Sequence, residues 1–315
     1  MSLKDILFRA FPFSGRKTKD SPPQPAPVDS PSPYARLLDT EVSEKPITPT
    51  PVKPRDVFLL DNLTSKPKST VGLLFQNPGV VVIRDPYRGS VGRLLPWQLE
   101  GFSYPLYGDW MGTGNEAIGF FHRASRYFFL WRNDSIEKPE IEFPFGPQDS
   151  NWIPLVGDWN GDGIDGVGFY DPDRSVFMLR NQLSAPAVPE IEFQFGVSAS
   201  KWIPIAGDWN GDGRDGIGLY DPATSTFYLR DNLSTGIPQY EIRMNNAGQE
   251  CLPLVGDWNG DGIDGIGYYN GASASFHLRN SLTDGEAEID FKFGPPEVIG
   301  IPFTGRWALP EGAQK

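Results

Sequence analysis

The 315-residue sequence predicts an all-β fold, a five-bladed β-propeller of four-stranded blades behind a Pro-rich leader. Three observations predict it. An acidic loop returns almost letter for letter, as GDWNGDGIDG at 157–166, GDWNGDGRDG at 207–216 and GDWNGDGIDG at 256–265, with a weaker copy, GDWMGTGNE, from Gly108 and a stump, GRW, from Gly305. Successive copies begin 49, 50, 49 and 49 residues apart. Between copies lie short runs rich in Phe, Tyr, Val and Ile, broken by Gly, Pro, Asn and Asp, with no helical period long enough to compete.

Taken in order, each loop is followed by a segment with a fixed glycine: VGLLF at 71, IGFF at 118, VGFY at 167, IGLY at 217 and IGYY at 266. There are five of these, not three. Next comes a strand ending in a basic residue and Asn or Asp: VVVIRD, FFLWRN, VFMLRN, TFYLRD and SFHLRN. EIEFPFG, EIEFQFG, YEIRMN and EIDFKFG supply a third strand, and IPLVGD, IPIAGD, LPLVGD and IPFTGR a fourth that leads back into the loop. Four strands per unit make a propeller blade, and closing the ring protects edges that an open array would leave unpaired. The terminal IPFTGRW resembles the loop-leading strands, so it is expected to complete the first blade beside residues 71–99, in competition with VFLLDN at 57–62.

Three regions follow: a basic amphipathic peptide over 1–13, a disordered Pro-rich linker over 14–55 and the five-repeat propeller over 56–315. The propeller region is long enough to bury a full apolar core. Residues 1–55 hold nine Lys and Arg against six Asp and Glu, a charge of +3; the remainder holds 19 against 34, a charge of −15. So acidic a body argues against nucleic acid as a partner. The single cysteine, Cys251, replaces an Ile of the sister repeats and reads as a small core residue.

In the leader, eleven prolines between Pro12 and Pro54 with Ser, Thr and Lys give linker composition. In MSLKDILFRAFPF, Leu3, Ile6, Leu7, Ala10 and Phe11 fall at helical spacing, followed by Arg16, Lys17 and Lys19. This peptide is expected to tether the chain to an anionic membrane face or to a groove on a protein partner. It lacks the uninterrupted apolar core and small-residue cleavage site of a secretory signal. No run of about 20 apolar residues suited to a spanning helix occurs. A membrane-peripheral place, or one within a larger assembly, is compatible with these features.

The loops carry the chemistry. Asp158, Asn160 and Asp162 occupy positions one, three and five, Ile164 at seven offers a carbonyl, and Asp165 stands at eight. The equivalents are Asp208, Asn210, Asp212, Arg214 and Asp215, then Asp257, Asn259, Asp261, Ile263 and Asp264. Oxygens at alternate positions in a Gly-rich turn suit a hard cation, so calcium is expected at three sites. Asp, Asn and Gly also make good turns without any ion. An EF-hand is excluded because Phe169, Leu219 and Tyr268 stand where it needs Glu. The second repeat has Met111 and Thr113 at positions three and five and is expected to hold no ion, while Arg306 stands where the stump would have Asp.

Over residues 57–307 these features resemble the FG-GAP and VCBS family of calcium-binding propeller repeats, whose pattern is DxNxDG followed by a further Asp. The resemblance implies that the loop joins the innermost strand of a blade to the next and binds calcium at the rim. The family's last Asp stands at position nine, where this chain has Gly166, Gly216 and Gly265, so Asp165, Asp215 and Asp264 are expected as ligands from their own place in the loop and not from the resemblance.

The tryptophans at position two (Trp110, Trp159, Trp209, Trp258 and Trp307) are expected to pack between blades, and Trp152 and Trp202 are candidates for sugar stacking. Arg84, Arg132, Arg180, Arg230 and Arg279 are expected to pair with carboxylates on neighbouring strands. No nucleophile and base pair emerges, and His122 and His277 stand at unrelated repeat positions. The expected function is therefore that of a non-catalytic, calcium-stabilised interaction or display module. A lectin with sites between blades is the alternative, and a polysaccharide hydrolase or lyase needs two carboxylates converging outside the loops.

Overall fold

In a computed structural model, the described residues run from 69 to 306, apart from 77–78, 86–88, 95–103, 133–137, 148–149, 186–187, 246–250 and 295–299. The leader, the segment 57–62 and Trp307 lie outside the described residues.

The chain is all-β, with five four-stranded antiparallel sheets set as blades around a ring. Blade 2 comprises β4 (Tyr104–Gly108), β5 (Ala117–His122), β6 (Tyr127–Leu130) and β7 (Ile141–Pro144). Blade 3 comprises β8 (Ile153–Gly157), β9 (Gly166–Asp171), β10 (Val176–Arg180) and β11 (Ile191–Gln194). Blade 4 holds β12 (Ile203–Gly207), β13 (Gly216–Asp221), β14 (Thr226–Arg230) and β15 (Tyr240–Arg243). Blade 5 holds β16 (Cys251–Gly256), β17 (Gly265–Asn270), β18 (Ser275–Arg279) and β19 (Ile289–Lys292). The strands leading into the loops, β4, β8, β12 and β16, touch one another in series and line the axis. They therefore open each sheet, and the acidic loop is the hairpin turn between first and second strands.

Blade 1 is split. Its outer strands are β1 (Thr70–Gln76), β2 (Gly79–Asp85) and β3 (Gly89–Leu94), and its innermost strand is β20 (Ile301–Gly305), from the far end of the described chain. The register runs from Thr70 opposite Gly305 to Leu74 opposite Ile301, and the Thr70 hydroxyl donates to the Gly305 carbonyl at 3.0 Å. The terminal strand thus closes the ring, as its resemblance to the loop-leading strands predicts.

Burial follows position in the blade. Every residue of β9 and β13 is buried, because these second strands are sandwiched between neighbouring blades. The edge strands β11 and β15 alternate, with Phe193 and Ile242 inward and Glu192 and Glu241 outward. The core is a series of inter-blade layers rather than one centre. Phe128, Phe143 and Phe145 of blade 2 meet Phe169 and Met178 of blade 3, and Tyr170 and Phe177 of blade 3 meet Ile217 and Leu219 of blade 4. Cys251 is buried in the layer between blades 4 and 5, as its place in the repeat predicts.

Candidate functional site

The loops gather at one end of the axis, where a cavity of 560 Å³ is lined by the residues at positions one and eight from every blade. Each loop is built the same way. In blade 3, Asp158 Oδ1 accepts from the backbone N–H groups of Gly161 (2.7 Å) and Asp162 (3.2 Å), and its Oδ2 accepts from Gly163 (2.7 Å). Asn160 Oδ1 accepts from the N–H of Asp162 (3.0 Å), and Asp162 Oδ1 from that of Ile164 (2.8 Å). Asp208 and Asp257 repeat the pattern. Gly161 and Gly163 make the path possible, with φ of 76° and 85°.

The residue at position eight works elsewhere. Asp215 Oδ2 accepts from the backbone N–H of Asp158 in the preceding blade (2.8 Å), while its own N–H donates to the Asp158 carbonyl (2.9 Å). Asp165 makes the same reciprocal clamp on Asp109, and Asp264 on Asp208. The series continues where the sequence motif fails. Glu116 clamps Arg306, and Ser69 clamps Asp257 through its hydroxyl at 3.1 Å and its N–H at 2.9 Å. All five junctions of the ring are closed by one device joining position one of one blade to position eight of the next.

Position nine explains why the carboxylate stands at eight. A Cβ on Gly166 would lie 2.2 Å from the Arg180 carbonyl oxygen, and on Gly216 and Gly265 it would lie 2.4 and 2.3 Å from those of Arg230 and Arg279. No side chain fits there.

Enclosure raises the cost of charge at the axis. Burial, with the charge of Asp165 next, pushes Glu116 up to about 8. Burial likewise pushes Asp165 up to about 6, Asp264 to about 7, and Asp215 well above the usual carboxylate range.

Whether a cation fits these loops is read from their acceptors. An oxygen has two lone pairs. Asp158 Oδ2, Asn160 Oδ1 and Asp162 Oδ1 each accept one N–H and keep one pair, whereas Asp158 Oδ1 is full. Among the described residues no three His, Cys, Asp or Glu side chains cluster closely enough to hold an ion by themselves. A cation there would have to be held by the oxygens at positions one, three and five together with the carbonyl of Ile164, Arg214 or Ile263 and water. In the second repeat Asp109 caps the same turn, and the Thr113 hydroxyl donates to it at 3.3 Å.

Other residues singled out in the sequence fall as follows. Trp110, Trp159, Trp209 and Trp258 are buried, and the Trp159 ring fills the space left by Gly157 and Gly166. Trp152 and Trp202 are half-buried rather than exposed: Trp152 tilts against Phe169, and Trp202 stacks on Tyr228 at 4.6 Å and 14°. The arginine expectation holds at Arg132, whose Nε lies 3.6 Å from Glu140 Oε1 just before β7, and in part at Arg279, but needs correction at Arg84, Arg180 and Arg230. Arg180 donates to the carbonyls of Gln182, Ser184 and Val188, Arg230 to those of Ser234 and Ile237, and Arg279 to those of Thr283 and Glu286, with Glu288 at 3.2 Å. These guanidiniums mainly tie down the following loop. Arg84 lies over the Phe291 ring at 3.7 Å. Arg132 is out of series, because Trp131 faces Ile118 where Arg180 faces Val167. His122 meets the Ser125 hydroxyl, and His277 lies between the Tyr268 ring and Asp290.

The fold and loops define a closed five-bladed propeller with an acidic axial mouth. No family profile and no curated protein matches the chain. Among solved structures it is similar to an Agrocybe aegerita lectin that recognises non-reducing terminal N-acetylglucosamine, at 15% identity and TM-score 0.40 over 72% of this chain and 65% of that one. It is also similar to the V. cholerae biofilm matrix protein Bap1, at 15% identity and TM-score 0.32 over 75% and 40% of the two chains. A third is BBS1N in complex with ARL6DN, at 12% identity and TM-score 0.34 over 73% and 69%. The chain spans less than two thirds of the lectin and of Bap1.

Proposed function

We propose that the chain is a non-catalytic binding and display propeller whose three complete acidic loops take up calcium to stiffen the ring, and whose residues 1–13 tether it to a membrane face or protein partner. The observation that carries this reading is the division of labour in the loop. Position eight clamps the neighbouring blade, while positions one, three and five keep spare oxygen lone pairs on one turn. A cation there would bind the folded ring and not the unfolded chain, so it raises stability by mass action. Calcium at about a hundred times its dissociation constant adds about 2.7 kcal/mol per site. Thermal melting in chelator and in millimolar calcium tests this; coincident curves overturn it. Removing residues 1–13 is expected to release the protein from its membrane or assembly fraction without changing the melting curve.

A second reading, glycan binding, is favoured by one surface. A 580 Å³ pocket where the outer edge of blade 4 meets the β18–β19 connection of blade 5 is lined by Thr224, Thr226, Tyr228, Glu241, Arg243 and Asp284, with the Tyr228 ring backed by Trp202. An aromatic face edged by hydroxyl, carboxylate and guanidinium groups suits a sugar ring. A glycan array read with wild type and Tyr228→Ala decides: binding lost in the variant supports the reading, and no binding by wild type removes it.

A further inference from the structure

Among the described residues lining the axial cavity are eight with carboxylates, Asp109, Glu116, Asp158, Asp165, Asp208, Asp215, Asp257 and Asp264, and one arginine, Arg306. That arginine stands at position one of blade 1, where the other four blades carry Asp, and it directly follows β20, the strand that closes the ring. Its backbone is held on both sides: its N–H reaches Glu116 Oε1 at 3.3 Å, and its carbonyl accepts from the Glu116 N–H at 2.8 Å. We propose that β20 is a charge-operated strap, which closes the ring by delivering Arg306 to the axis as the internal counter-ion of the carboxylate ring.

Before closure the carboxylates of an open array are hydrated and apart. Closing the ring removes much of their water and brings them round one small cavity, which is costly unless a cation joins them. Arg306 arrives with the same strand that completes blade 1, so neutralisation and closure are one event. The arginine shares the cavity with carboxylates of all four other blades, beyond its clamp partner Glu116. No metal is needed for this role, so it stands apart from the calcium reading.

Hydrogen exchange on the full chain tests it, at low salt, about pH 8 and with chelator present to keep divalent ions from substituting. In Arg306→Gln, amides of Ile301–Gly305 and Thr70–Leu74 are expected to exchange at least about tenfold faster, while those of β13 and β14 change less than about twofold. Arg306→Lys keeps the charge and is expected to stay within about threefold of wild type. Adding Asp165→Asn to Arg306→Gln removes one opposing charge but keeps an oxygen for the Asp109 N–H, and is expected to recover most of the protection. Unchanged exchange in Arg306→Gln overturns the proposal. Equal losses in the Gln and Lys variants with no recovery in the double variant also overturn it, since Arg306 then acts by packing alone. If Arg306→Gln does not fold, a folded double variant supports the strap and an unfolded one overturns it.

Discussion

Asp215 shows how one carboxylate can hold two blades together at the expense of its own charge. Its Oδ2 satisfies the N–H of Asp158, yet burial and the charges of Asp165 and Asp264 drive its pKa well upward. Asp215→Ala leaves that N–H without its acceptor and is expected to cost about 1–3 kcal/mol. Asp215→Asn keeps an acceptor and discards the disfavoured charge, so in chelator it is expected to be at least as stable as wild type. Denaturant melts of both variants check this; equal stability of Ala and Asn would show that the clamp contributes nothing. The motif DxNxDGxD was legible in the sequence, and so was the turn it builds, because both are local. The partner of position eight was not, since it lies 57 residues away in the preceding blade and is a backbone N–H that no side-chain letter records. Ser69 and Glu116 belong to the same series, but neither resembles Asp165 in its surroundings, and only their spacing of three before the fixed glycines Gly72 and Gly119 could have found them.

At the scale of elements, strand number and closure were readable because a period of about fifty residues repeats without interruption through the propeller. The partners of Arg180 and Arg230 were misread for a physical reason, while Arg132 does meet the expected carboxylate, Glu140. An arginine at the end of a strand has carboxylates in reach, but the chain after it turns back and presents carbonyls first. Arg180, nearly fully buried, bonds three of them between Gln182 and Val188. Arg180→Lys cannot span that fork and is expected to cost about 1.5–3 kcal/mol for each lost charged hydrogen bond it fails to replace. Faster proteolysis after β10 is the measurement; wild-type resistance would count against the role given to the guanidinium.

The whole molecule carries a net charge of −12, and its most costly charges converge on the axis. The folded pKa values of Glu116, Asp165 and Asp264 are raised to about 8, 6 and 7, above those of the unfolded chain. Between about pH 4 and pH 8 these three groups therefore hold more protons in the folded state than in the unfolded one, and their contribution to stability falls as pH rises. The contribution is fully present below the unfolded values and is lost as pH passes through the folded ones. In chelator the melting temperature is expected to be higher at about pH 5 than at about pH 8. Calcium is expected to raise the melting temperature at both pH values by binding the folded ring. Melts at the two pH values with and without calcium separate the effects, and a chelated protein more stable at pH 8 would contradict the first.

Thr70 and Gly305 stand opposite each other across the seam of blade 1, so the described chain enters and leaves the ring in the same sector. A label or fusion joined to the described strands at either Thr70 or Gly305 therefore starts from one and the same sector, two blades away from β12–β15 by the shorter way round the ring.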